Sequence, residues 1–176
     1  MKIKINMKRT LAVVFAGSLS FPLALGSALA HSEGKTSAHS AKRAIDKEQH
    51  AFGREGDPKA AVRTIRVDMG DNMRYTPASL EIREGDTVKF VVTNKGKILH
   101  EMVLGTMAQL KEHGELMKKN PGMEHEAPYM AHVDPGKKAE FVWQFNKPGT
   151  FHFGCLLPGH FESGMVGTIT VKGRQS

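Results

Sequence analysis

Short runs in which apolar and polar residues alternate organise the chain from Ala61 onward. Val62 to Met69, Ser79 to Ile82, Thr87 to Thr93 and Lys97 to Val103 are strand-like, separated by the turn-forming triplets Gly70-Asp71-Asn72, Glu84-Gly85-Asp86 and Asn94-Lys95-Gly96. In the third run Val88, Phe90 and Val92 alternate with Lys89, Val91 and Thr93, the pattern of a strand with one face in a core. Phe141, Trp143 and Phe145 alternate in the same way. Lys147-Pro148-Gly149 then turns the chain into Phe151-His152-Phe153-Gly154-Cys155, and Val166 to Lys172 supplies a final strand. Several short strands with regular turns predict an all-β domain, an antiparallel sandwich or barrel.

Two segments break this texture. Between the fourth run and the aromatic one lies an insertion, about residues 105 to 136, in which Met107 to Lys119 predicts a short helix interrupted by Gly114. Pro121, Pro128 and Pro135 mark loop beyond it. Upstream, residues 31 to 60 read as a flexible, disordered tail: His31, His39 and His50 lie among Ser, Gly, Lys, Glu and Asp, with Phe52 the only aromatic, so little apolar surface offsets the cost of ordering the chain. Residues 1 to 30 read as a secretory signal peptide. Lys2, Lys4, Lys8 and Arg9 form its basic start, Leu11 to Leu25 its apolar core, and Ala28-Leu29-Ala30 a cleavage site before His31. The apolar core is short of the roughly 20 residues needed to span a bilayer. The expectation is an exported, periplasmic protein whose mature part carries one domain, residues 61 to 176, and no membrane span.

Charge changes the picture only by exclusion. Removing the leader takes four of the 25 Lys and Arg residues and none of the 18 Asp and Glu, leaving 21 against 18. So small an excess is no nucleic-acid footprint. Neither a Walker-type phosphate loop nor a Gly-rich dinucleotide turn is present.

The chemistry concentrates in Cys155-Leu-Leu-Pro-Gly-His160-Phe-Glu-Ser-Gly-Met165, where the chain's only cysteine shares a short loop with a histidine and a methionine. A thiolate, an imidazole and a thioether suit copper, and a trigonal His2Cys site with a long axial Met is an electron-transfer arrangement. An exported thiol with no disulfide partner needs protection, which metal ligation supplies. The loop lacks a second histidine. If Phe151, Phe153 and Cys155 share one strand face, His152 points the other way and is a poor ligand. His100, which follows a strand and turn and sits in apolar surroundings, is the better one. The alternative, a buried Cys, a surface His and a gap-filling Met that are neighbours by chance, leaves the lone exported thiol and the equal spacings unexplained.

These motifs resemble the cupredoxin family of small blue-copper proteins, which includes plastocyanin and azurin, over roughly residues 61 to 173. The resemblance rests on Cys-x4-His-x4-Met at 155, 160 and 165, the preceding Phe-x-Phe-x-Cys, the following Gly167-Thr-Ile-Thr-Val171 and the Asn-x-Gly segment before His100. It implies a Greek-key sandwich and one type 1 copper held by His100, Cys155, His160 and Met165. Tyr75-Thr76-Pro77 and Leu99-His100-Glu101 look most like periplasmic cupredoxins linked to copper resistance. Many cupredoxins carry Asn or Ser after the first histidine to brace the cysteine segment, whereas Glu101 stands there in this chain.

The tail and insertion hold further candidate copper ligands: His31, beside a free amine if cleavage precedes it, and the pairs Met123-Glu-His125 and Met130-Ala-His132. The methionines read equally well as packing. The functional expectation is copper tolerance through copper binding and one-electron redox chemistry, with a dedicated electron carrier serving a periplasmic redox partner as the alternative. An enzyme is not expected, since multicopper catalysis needs further histidine-built centres and a binuclear electron-entry site needs two cysteines.

Overall fold

The computed structural model describes residues 44–120 and 125–174. Two five-stranded sheets face each other. In chain order the strands are β1 (Arg54–Glu55), β2 (Arg63–Gly70), β3 (Arg74–Thr76), β4 (Ser79–Arg83), β5 (Thr87–Asn94) and β6 (His100–Gly105). After helix α1 (Met107–Lys119) come β7 (Met130–Val133), β8 (Lys138–Gln144), β9 (Gly149–Gly154) and β10 (Val166–Lys172). One sheet has the order β1-β8-β5-β2-β3 and the other β4-β10-β9-β6-β7. Among the described residues no helix is long and apolar enough to cross a membrane.

The alternating runs form these strands because each buries one row of side chains between the sheets. Val88, Phe90 and Val92 of β5 lie in the core with Trp143 and Phe145. Phe90 pairs directly with Phe141 across the β5–β8 ladder, their rings stacked with centroids 4.9 Å apart. Two ladders are parallel rather than antiparallel: β2 beside β5, and β4 beside β10. Alternation cannot reveal this, because side chains point to opposite faces with a period of two in either kind of ladder.

The helix forms over the residues its sequence predicts. Thr106 accepts a hydrogen bond from the Gln109 amide and the Gln109 side chain reaches back to the Thr106 amide, a reciprocal cap that starts the helix cleanly. Gly114 does not interrupt it. Leu110 and Met117 turn inward and pack with Val103, Met130 and Leu156.

The expectation of a flexible tail through residue 60 fails at its C-terminal end; residues 31–43 lie outside the described residues. Phe52 is 2 % exposed and stacks on Trp143 at 5.2 Å, while the Trp143 indole N–H donates to the Phe52 carbonyl at 2.9 Å. Gly53 permits this approach, since its φ is +128° and a Cβ there would stand 2.2 Å from the Gln144 carbonyl oxygen. One aromatic with an indole partner supplies enough burial to dock a polar segment, which composition averaged over 30 residues conceals. Trp143→Ala, which removes this anchor and leaves a core cavity, is expected to cost about 3–5 kcal/mol of stability, read from the midpoint of urea unfolding.

Candidate metal centre

Three side chains meet at one end of the sandwich. Cys155 directly follows β9, His100 opens β6 on the neighbouring strand, and His160 lies on the loop between β9 and β10. Their ligand atoms all fall within 4.8 Å of one another, with His160 Nδ1 3.2 Å from Cys155 Sγ and the two imidazole centroids 5.0 Å apart.

The loop holds its shape through its own backbone. The Cys155 amide donates to the Met165 carbonyl and the Met165 amide to the His160 carbonyl, both at 3.1 Å. The His160 amide donates back to Leu157 at 3.0 Å. Met165 is fully buried next to this closure. His152, on β9, stands outside the cluster of three.

His100 is positioned by two side chains that come from other elements. Buried Asn94, the last residue of β5, donates from Nδ2 to the carbonyls of Ile98 and Val133 and accepts from the Gly96 amide, each at 2.8 Å, which sets the turn ahead of His100. Asp71 then approaches His100, its Oδ1 3.1 Å from Nε2, while its Oδ2 accepts from the Lys97 amide at 2.8 Å. Any side chain at position 96 would intrude here, since a Cβ would stand 1.9 Å from Asp71 Oδ1. The Lys97 amide, followed by the His100 imidazole, holds the Asp71 carboxyl below its ordinary range. An ionised Asp71 draws the ring proton to Nε2 and leaves the lone pair on Nδ1. Nδ1 is buried and has no hydrogen-bond partner among the described residues, as a nitrogen reserved for a metal ion would be. Asp71→Ala should free the ring and weaken copper binding by about 10–100-fold, measurable by competition against a chelator.

Glu101 braces the cysteine segment. It is 0 % exposed. Its amide donates to Cys155 Sγ at 3.5 Å, its Oε1 accepts from the Leu156 amide at 2.6 Å, and its carbonyl accepts from the Tyr75 hydroxyl at 2.6 Å. Its Oε2 lies 2.8 Å from Nε2 of His132, the residue directly opposite on β7. The carboxylate thus ties β6 to the cysteine segment and to β7 at once.

Burial favours the neutral forms of Cys155 and His160. Burial pushes the Cys155 thiol up to about 12, so binding a metal here must expel a proton. Burial, then the neighbouring His100, lowers His160 from the ordinary imidazole value and keeps its lone pair available. The Cys155 thiol, the His160 imidazole and the orphaned Nδ1 of His100 fit a copper ion.

Asp71 and Tyr75 were not singled out by spacing, because they lie far from His100 and Cys155 in sequence and join them only through folding. The charged residue inside the apolar strand His100–Gly105 was a visible signal for Glu101. Among the secondary candidates, His31 and Met123 lie outside the described residues. Met130 packs in the cluster of Val103, Leu110, Met117 and Leu156. His125 and His132 have ring centroids 5.7 Å apart.

Comparison with known proteins accords with this geometry. The family model for copper binding proteins of the plastocyanin/azurin family matches residues 61–172, and the chain belongs to that family. It is 49% identical over 136 residues to a copper-resistant cuproprotein, CopI, of Rubrivivax gelatinosus, covering 77% of this chain and 82% of the relative. The CopI protein of Pseudomonas aeruginosa is 35% identical over 151 residues, covering 69% and 83%. Among solved structures, auracyanin B shares the fold with a TM-score of 0.58 at 20% identity, over 68% of this chain and 96% of that one. The protein is a copper-binding cupredoxin.

Proposed function

We propose that His100, Cys155, His160 and Met165 hold one type 1 copper, and that the exported protein uses it in copper tolerance by binding copper and exchanging single electrons. The observation that carries this is the convergence of one thiol and two imidazoles, with His100 Nδ1 left unpartnered in a buried site. Such a centre supplies one-electron exchange between Cu(I) and Cu(II). The chain's part is to keep the ligands still. Asp71 fixes the His100 ring, Glu101 fixes the cysteine segment, and the backbone bonds of the 155–165 loop fix His160. Ligands that need not move between oxidation states keep the reorganisation cost of electron transfer low.

The two CopI relatives are named as copper-resistant cuproproteins, which supports tolerance as the biological role. The basic and apolar leader supports export to the periplasm with a mature chain from His31. A strain lacking the gene should lose growth at high copper and regain it with the wild-type gene but not with Cys155→Ser. Normal growth of the deletion strain would overturn the tolerance role.

A second reading, a dedicated electron carrier, is favoured by the apolar residues at the rim. Ile98 and Leu99 are 43% and 38% exposed immediately before His100, where a redox partner could approach. Loss of respiratory electron flow in the deletion strain, without copper sensitivity, would favour it. Both readings describe a binding and redox protein rather than an enzyme, and steady oxygen uptake with Cu(I) by the pure protein would overturn both on that point.

A further inference from the structure

A second group of imidazoles adjoins the first site through Glu101. His113 comes from α1, His125 from the segment before β7, and His132 from β7 itself. The His113 and His125 ring centroids are 4.5 Å apart, and those of His125 and His132 are 5.7 Å apart. The Glu101 carboxylate closes the group through Oε2, 2.8 Å from His132 Nε2. Three of the chain's nine histidines therefore gather beside a fully buried carboxylate.

From this juxtaposition we propose that His113, His125 and His132, with Glu101, form a second copper site that takes Cu(II). Imidazole nitrogens and a carboxylate oxygen suit Cu(II), which among the divalent first-row metals binds such donors most tightly. The set lacks a thiolate, so its copper is pale and distinct from the intensely coloured centre at Cys155. His125 and His132 are candidates by sequence, and the structure joins to them His113 and Glu101, while Met130 packs in the apolar cluster with Leu110 and Leu156.

Glu101 gives the second site a route to the first. One carboxylate oxygen faces His132, the other accepts from Leu156, and the Glu101 amide faces Cys155 Sγ. Copper at the histidine cluster draws on Oε2 and thereby perturbs the group that braces the cysteine. Filling the second site is expected to shift the visible band of the first without abolishing it.

The test is a Cu(II) titration of the mature full-length protein against the triple variant His113→Ala, His125→Ala, His132→Ala, counting bound copper while recording visible and electron paramagnetic resonance spectra. The wild type should bind one copper more than the variant. The extra ion should show several coupled nitrogens and add no thiolate band. The triple variant should keep the intense colour and lose the band shift, and the retained colour also shows that it is folded. Equal copper counts would overturn the second site, whatever the tail binds, since the tail is common to both proteins. If the triple variant fails to fold, His113→Asn alone decides: at least a tenfold weaker second binding event supports the site and unchanged affinity removes it. Because the count does not depend on colour, a colourless wild type would contradict the type 1 reading while leaving the second site testable.

Discussion

Cys155→Ser is expected to abolish the intense visible absorption of the copper-loaded protein completely, while the sandwich still folds. The thiolate is the single soft, strongly covalent donor among His100, Cys155 and His160, and a serine hydroxyl replaces it with a hard, neutral oxygen that binds copper poorly. Serine also buries a hydroxyl at a position lined by the Glu101 and Leu157 amides and His160, at a cost of about 1–3 kcal/mol. Visible absorption and copper content, measured together with urea unfolding, separate the two effects. Persistence of the intense band in this variant would mean that the colour does not arise at Cys155.

The largest stability loss outside the apolar core is expected from Glu101→Ala. The change leaves the Leu156 amide, next to the cysteine, without its 2.6 Å acceptor and His132 without the carboxylate 2.8 Å away. Leaving a buried amide without its acceptor typically costs about 1–3 kcal/mol, because the group stays desolvated. Glu101→Gln retains an oxygen for Leu156 and should recover part of that loss. Urea midpoints for the two variants provide the check, and equal midpoints would show that the Leu156 contact carries little. Copper spectra should move as well, since the Glu101 amide points at Cys155 Sγ.

What could be read from the chain and what could not follow from the range of the interactions. Alternation of apolar residues located β5, β8, β9 and β10, because burying one face of a strand leaves a local mark every second residue. The strands β1, β3 and β7 were missed: they have two, three and four residues, too short for a period to show. Lys97 to Leu99 read as strand but belong to the turn before β6, because the Asn94 side chain takes over the hydrogen bonding there. Cys155, His160 and Met165 were legible as a group because they lie on one loop. Asp71 and Tyr75 were not, since nothing local marks a residue whose partner lies 29 or 26 positions away. The grouping of His113 with His125 and His132 likewise needed the fold, which sets α1 against β6 and β9.

The most direct test of the central claim is X-ray absorption at the copper edge on mature protein loaded with one equivalent of copper. The predicted coordination is one short copper–sulfur bond together with two imidazole nitrogens, with the sulfur contribution lost in Cys155→Ser. A first shell of nitrogen and oxygen alone in the wild-type protein would contradict the assignment of copper to Cys155, His100 and His160.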